Sequence, residues 1–261
     1  MSFKDHFSAV AARYAEFRPT YPDELFSWLA GLCKGHETAW DCATGSGQAA
    51  DGLAKYFRQI IATDASAEQV AHASGPGNVS FRVATAEASG LADRSIDLVT
   101  VAQAAHWFDL PKFFAEAQRV LKPGGVLALW GYGRLDLPGG MDEIFQRFYS
   151  ETVGPCWPPE RKWIDDGYRS LDFPFSEIAA PAFSIDVEWS LPRLLDYLST
   201  WSAVKRYRAD RGTDPLPALM AELRPLWGEP NTARPMGWPL FLRIGRMQAD
   251  SVQEIHRTPG F

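Results

Sequence analysis

The sequence predicts an α/β fold built on a doubly wound, mostly parallel sheet, and three observations carry that expectation. Between residues 39 and 130, short apolar runs alternate with amphipathic stretches at short spacings, as successive strand and helix units do. Ser95 to Val101 is a near-continuous apolar run broken by Asp97, which is how a strand buried on both faces reads. Asp41-Cys42-Ala43-Thr44-Gly45-Ser46-Gly47-Gln48 joins a strand to a helix through a glycine turn, and Ile60-Ile61-Ala62-Thr63-Asp64 closes the next strand on an acid. Gly45 and Gly47 allow the backbone to turn sharply and leave no Cβ between the peptide groups and a ligand at the helix start.

Residues 1–38 read as an N-terminal helical cap. Phe3, Phe7, Val10 and Tyr14 recur at three- and four-residue steps, as on one helix face. That helix should end before Pro19, because the residue preceding proline avoids the helical region. A second helix, about Asp23 to Leu32, leads into the strand that ends at Asp41. The α/β core, residues 39–130, then runs in order. A strand at Ala39 to Asp41 precedes a helix from about Gln48 to Tyr56 and a strand from Gln59 to Thr63. The next helix is capped by Ser66, with Gln69 at capping-box spacing, and is followed by a strand from Val79 to Val83. After the buried strand come a helix from about Leu110 to Val120, a turn at Lys122-Pro123-Gly124-Gly125, and the strand Val126 to Trp130.

Past Gly131 the chain becomes rich in proline and tryptophan, and residues 131–235 read as a partly helical, substrate-recognising lid inserted in the domain. Within it, Met141 to Thr152 and Leu191 to Arg208 read as helices and Ser184 to Trp189 as a strand. Residues 236–261 hold a final strand, Trp238 to Gly245, and a peripheral tail. The whole is expected to form one domain, as α/β chains of 261 residues often do.

A net charge of -6 argues against a surface built to neutralise phosphates, so nucleic acid is not expected as a partner. Cys33, Cys42 and Cys156 are widely spaced and suggest neither a disulfide framework nor a zinc site, and no metal is expected. The first residues lack the apolar core of a secretory signal, and no apolar run approaches the ~20 residues that span a bilayer. The expectation is a soluble cytoplasmic protein with no membrane partner.

Ligands of doubly wound sheets lie at the carboxyl ends of the strands. Asp41, Asp64, Glu87 and Gln103 to Trp107 all occupy such ends, so they should converge on one crevice. Asp64 sits where a carboxylate would accept hydrogen bonds from both hydroxyls of a ribose, which makes the unit an adenosine site. Gly45 to Ala50 also satisfies the loose dinucleotide pattern G-x-G-x-x-A. Asp41 opposes that reading, because a carboxylate before the turn suits an ammonium group and repels a pyrophosphate.

The chain resembles the class I S-adenosylmethionine-dependent methyltransferases, and within them the small-molecule enzymes of the trans-aconitate methyltransferase type. The resemblance is carried by Phe17 to Pro22, Asp41 to Gly47, Asp64-Ala65-Ser66, Ala86-Glu87, Ala102 to Phe108, Arg119 to Gly125 and Tyr197 to Ser202. It implies a Rossmann-like, seven-stranded sheet whose last strand is antiparallel, with S-adenosylmethionine as cofactor. It places Asp41 and the turn Ala43, Thr44, Gly45 and Gly47 near the methionine moiety, and Asp64 with Ala65 at the ribose. Ala86 and Glu87 fall at the adenine, Gln103 beside the sulfonium, and Tyr14 and Arg18 in a segment folded over the cofactor. The family usually has glycine where this chain has Ala43. Glu87 reads equally well as a solvated loop acid, and Tyr14 and Arg18 as packing residues.

A methyltransferase of this kind needs only a lone pair held in line behind an activated methyl group, with water excluded. A carboxylate acceptor needs a positioned cation and no base, whereas a hydroxyl, amine or carbon acid gains from one. His106 is the candidate base, and the plainer reading is that His106-Trp107 packs the loop. Arg161, Lys162, Lys205, Arg206 and Arg208 are candidate cations for a small-molecule acceptor, with Trp157, Trp163, Tyr168, Trp201 and Tyr207 as walls. Two other readings remain open at this point. One is an NAD(P)-dependent oxidoreductase, although no Tyr-x-x-x-Lys constellation follows; the other is a catalytically silent S-adenosylmethionine-binding protein.

Overall fold

A computed structural model describes residues 20–248. Its sheet has the strands β1 (Thr38–Cys42), β2 (Gln59–Asp64), β3 (Val79–Val83), β4 (Ile96–Ala102), β5 (Leu121–Tyr132), β6 (Ser176–Ile178), β7 (Phe183–Trp189) and β8 (Arg234–Arg246). The order is β3-β2-β1-β4-β5-β8, with β6 and β7 beyond β8. β6 pairs with Ile244 to Arg246 and β7 with Arg234 to Leu240, both on the edge of β8 that faces away from β5. Eight strands therefore fill seven lateral positions. β1 to β5 are mutually parallel and β8 runs antiparallel to β5. The expected doubly wound, Rossmann-like sheet with a reversed strand near its far edge is the fold observed.

Helices cover both faces. α1 (Asp23–Leu32) and α2 (Gln48–Leu53) bury Leu25, Phe26, Leu29 and Leu53 with Ala39, Leu98, Ala128 and Trp130 of the strands. α3 (Ala67–His72) is capped by Ser66, whose Oγ accepts the Gln69 N–H at 3.3 Å, as the capping-box spacing predicts. α4 (Leu110–Val120) lies on the opposite face, packing Phe113, Phe114 and Ala117 against Trp40, Val99, Val101 and Leu129. Alternate residues of β4 and β5 thus feed two separate cores, which is why these strands read as continuous apolar runs.

The chain reverses direction across the sheet between β1 and β4. β2 and β3 extend to one side, and β5 and β8 to the other. The crevice at the carboxyl ends of β1 and β4 is the ligand position that this topology creates.

Two details differ from the sequence reading. Lys122 to Gly125, expected as a turn, lies within β5, and the pairing register with β4 shifts between Ile96 and Leu98 to absorb it. Gly124 takes φ +80°, so the turn signal was real but marks a bulge in the strand. Second, the segment between β5 and β8 holds more helix than expected. α5 (Met141–Arg147) continues as a wider turn to Thr152, and α6 (Arg161–Asp165) follows. α7 (Leu191–Ser199) and α8 (Ser202–Arg211) are separated by an extended Trp201.

α9 (Leu216–Trp227) was not among the expected helices, and it lies in the proline-rich stretch that holds Pro215, Pro217 and Pro225. Pro217 stands in the first turn, where a missing N–H costs nothing, and Pro225 near the end. The buried face Leu216, Leu219, Leu223 and Trp227 has helical spacing throughout.

Candidate active site

Asp41 is the penultimate residue of β1 and is 1 % exposed. Thr44 Oγ1 donates to its Oδ2 at 2.5 Å, and Thr100 Oγ1, from the paired position on β4, donates to its Oδ1 at 2.8 Å. Burial pushes this carboxyl up to about 6, against the pull of the two hydroxyls, and the nearby Asp64 adds to the rise. Ala43 follows at φ +56°, a left-handed conformation that costs an alanine roughly 1–2 kcal/mol. Gly45 and Gly47 take φ +57° and +98°, and a Cβ on Gly45 would meet nothing within 4 Å. Open space over Gly45 is a cradle that a ligand can approach against bare backbone. Replacing Ala43 by glycine should relieve the strain, offset in part by the looser unfolded chain. We expect about 1 kcal/mol or less of added stability, read as a rise of roughly 2 °C in Tm.

Asp64 closes β2 and binds the turn from the side. Gly45 N–H donates to its Oδ2 and Ser66 N–H to its Oδ1, both at 2.9 Å. Each oxygen keeps a lone pair for a further donor. Ala65 lies between these anchors, half-buried. After β3, Ala86 is buried among Cys42, Ile61 and Leu91, and Glu87 accepts the Asp109 N–H at 3.0 Å, tying this loop to the start of α4. Burial raises the Cys42 thiol, and Asp41, Glu87 and Asp64 raise it further, so all three carboxylates lie in its neighbourhood. Among the described residues none of the three is ion-paired with a Lys, Arg or His.

Gln103, just past β4, has φ +55°. Its N–H donates to Trp130 O at 2.9 Å and its Nε2 to Tyr132 O at 2.8 Å, while its Oε1 is buried without a partner among the described residues. A Cβ on Gly131 would lie 2.7 Å from that oxygen and 2.5 Å from the Phe241 ring, so glycine is required there.

His106 sits in a short 3-10 turn, Ala105 to Trp107. Its Nδ1 lies 3.0 Å from Tyr168 Oη and its ring 4.7 Å from that of Trp107. Burial and the neighbouring Arg161 cation pull the imidazole down to about 3. The imidazole is therefore held in its neutral form.

The segment between β5 and β8 brings an aromatic cluster to the same end of the sheet. Trp157, Trp201, Tyr197 and Trp238 follow one another at centroid distances of 5.3, 5.8 and 5.3 Å. Arg161 is 4.4 Å over the Trp157 ring, and its Nη2 donates to Tyr149 Oη at 2.7 Å. Of the other candidate cations, Arg206 and Arg208 pair with Asp210 and Asp214 on the exposed side of α8, and Lys205 is exposed. Tyr14 and Arg18 lie outside the described residues. The sequence reading missed Thr100, Tyr149, Phe241 and Arg243. Thr100 left one trace, a hydroxyl in a strand that is apolar apart from Asp97, whereas the others are placed by contacts across tens of residues.

Comparison with known proteins agrees with this geometry. Residues 40–129, from within β1 to within β5, match a family described as a methyltransferase domain. A Dictyostelium discoideum protein described as a methyltransferase is 37 % identical over 225 residues, which cover 85 % of this chain and 86 % of that one. The chain belongs to the class I S-adenosylmethionine-dependent methyltransferases. An uncharacterized methyltransferase of Schizosaccharomyces pombe is 38 % identical over 207 residues, covering 77 % of this chain and 80 % of its own. A solved structure from Anaeromyxobacter dehalogenans, described as a type II methyltransferase, superposes with a TM-score of 0.86 at 41 % identity, over 89 % of this chain and 99 % of that one. The dinucleotide reading of Gly45 to Ala50 falls with this membership. In this methyltransferase the residues present fit the family's cofactor: among the described residues the turn is open above Gly45, the acids at its rim form no ion pair, and Gln103 Oε1 has no partner.

Proposed function

We propose that this methyltransferase transfers the methyl group of S-adenosylmethionine to a small-molecule acceptor, with carboxylates the first class to examine. The observation that carries the reading is the cluster of Asp41, Asp64 and Glu87 around the glycine turn, none of them in an ion pair among the described residues. Such a rim attracts an ammonium and a sulfonium and repels a pyrophosphate. Asp41 would hold the ammonium group, Asp64 the ribose hydroxyls beside the Ala43 to Gly47 turn, and Ala86 with Glu87 the adenine. Gln103 would face the sulfonium, and Tyr14 and Arg18 would cover the cofactor. When bound, S-adenosylmethionine supplies an activated methyl group, whose C–S bond breaks with its electron pair remaining on sulfur as the acceptor lone pair forms the new bond.

The remaining work is binding, orientation and exclusion of water. The helices and aromatic cluster between β5 and β8 supply the lid. Arg161, 18 % exposed, stacked on Trp157 and 3.5 Å from the exposed Asp165, offers a cation that an ionised acceptor would share with that acid. No helix among the described residues is long and apolar enough to cross a membrane, and the thiols of Cys33, Cys42 and Cys156 are free and buried, which fits a reducing cytoplasm.

Calorimetric titration with S-adenosylmethionine, S-adenosylhomocysteine and NADH tests the cofactor. Micromolar binding of the first two without the third is expected. A screen of carboxylic acids against matched alcohols, phenols and amines, read by release of S-adenosylhomocysteine, then tests the acceptor. Binding of NADH alone would sink the cofactor assignment, and turnover confined to protein or nucleic-acid substrates would sink the acceptor assignment.

A further inference from the structure

The chain that leaves β3 runs past the acid proposed for the ribose, because Ala84 N–H donates to Asp64 O at 3.0 Å. A ribose held by the Asp64 carboxylate would carry its base toward the loop that starts there, residues 84–91. Within that loop Ala88 N–H closes a tight turn on Thr85 O at 3.3 Å, and Ala86 and Glu87 are its two central residues. Ala86 is buried in one cluster with Cys42, the last residue of β1, so the turn stands at the end of the sheet where the acids gather. A short turn cannot offset the entropy of its own ordering, and its position depends on what it is tied to.

The ties come from α4, which Phe113 and Ala117 seat on the sheet. Just before that helix, Asp109 N–H donates to Glu87 Oε1 at 3.0 Å. Two turns further on, Glu116 is 9 % exposed, and its Oε1 accepts the Ser89 N–H at 2.9 Å. The Ser89 hydroxyl accepts the Leu91 N–H at 3.2 Å and donates to the same carboxylate oxygen. These directions are fixed by chemistry, since an amide N–H only donates and an ionised carboxylate only accepts. Arg119 donates through Nε to Glu116 Oε2 at 2.8 Å and through Nη2 to Oε1 at 2.7 Å, and its Nη1 reaches the exposed Asp93. The guanidinium holds the Glu116 carboxyl down to about 2, so the group is ionised at neutral pH. An ion pair one turn apart would serve α4 alone. Drawing the buried Ser89 into it joins the loop to the helix.

We propose that Glu116 is a positioning residue for the cofactor: through Ser89 it fixes the turn from Thr85 to Ala88 beside the crevice, so that the site is shaped for an adenine ring before the ligand arrives. The proposal rests on the assignment of this crevice to S-adenosylmethionine and deepens it. Glu116 acts through the loop, and its effect is therefore confined to the base. A ligand with the same ribose and amino-acid arm but no adenine does not sense it. Preorganisation of this kind lowers the ordering cost of binding.

Calorimetry on the full chain tests this with two ligands, S-adenosylhomocysteine and S-ribosylhomocysteine, in which a hydroxyl replaces the base; the second is read by competition with the first. Glu116→Ala should weaken S-adenosylhomocysteine ~10-fold and leave S-ribosylhomocysteine within about twofold of wild type. Ser89→Ala leaves the buried ion pair intact and so carries the test even if Glu116→Ala does not fold; it should lose ~3-fold with the same selectivity. Glu116→Gln keeps an acceptor for Ser89 and should recover most of the affinity. Asp93→Asn, which cuts only the exposed end of the ion-pair chain, should bind both ligands as wild type does. Equal loss for both ligands, or no loss for either, would make Glu116 a purely structural residue and overturn the proposal while the cofactor assignment stands. Failure of the wild type to bind S-adenosylhomocysteine would instead sink that assignment, and the proposal with it.

Discussion

Asp64→Ala is expected to weaken S-adenosylmethionine binding at least 100-fold, the largest loss of any single change at the site. The side chain supports the ligand in two ways. Its free lone pairs face the position proposed for the ribose, and its two oxygens pin Gly45 N–H and Ser66 N–H on either side of the crevice. Hydrogen bonds to a charged group contribute about 1.5–3 kcal/mol each, so losing those to the cofactor while loosening the turn exceeds ~3 kcal/mol. Asp64→Asn should fall between, because it keeps one acceptor and turns one amide hydrogen toward an N–H. Calorimetry on the three proteins checks the order. Equal affinity of Asp64→Ala and wild type would remove the ribose assignment.

Asp41→Asn is expected to stabilise the ligand-free protein and to impair it as a methyltransferase. The folded-state pKa of Asp41, about 6, lies above its ordinary value of 3.8. A raised acid binds its proton more tightly folded than unfolded, so the cost of burying the charge is absent below about pH 4, grows to pH 6, and is fully present above it. That cost is of order 3 kcal/mol at pH 7. Asparagine never carries the charge and can still engage Thr44 and Thr100, so its Tm at pH 7 should rise by several degrees, with the gain disappearing near pH 4. The same carboxylate is proposed to meet the cofactor's ammonium group. Binding of S-adenosylmethionine to the wild type should therefore strengthen as pH rises through 6, and the asparagine variant should bind more weakly at pH 7 with that dependence flattened. A variant that is no more stable and binds equally well would place Asp41 outside both roles.

The glycine turn, the acids at the strand ends and the alternation of strand and helix were legible because each is a local property of the chain. Asp23 to Leu32, Val79 to Val83 and Leu110 to Val120 occur with the bounds that the sequence suggested. α9 was hidden by prolines whose positions in a helix, rather than their presence, decide their cost. The β5 bulge was hidden because a bulge and a turn ask for the same glycine conformation at Gly124. At the site, Asp41 and Asp64 could be placed from the sequence, but their tasks could not be separated. One is sealed in the sheet between two hydroxyls, and the other is stretched between two loop amides.

What the sequence determined by itself is the order of the elements and the end of the sheet at which chemistry gathers. Periodicity, glycine turns and strand-end acids act over a few residues, and sheet topology converts them into a single crevice. The tertiary structure alone decided the charge states within that crevice and the partner of His106. Asp41 stands near 6 and His106 near 3 because of burial, which depends on everything packed around them. His106 meets Tyr168 across 62 residues of chain, Arg243 on β8 donates to the Tyr168 carbonyl, and no local pattern encodes contacts of that span.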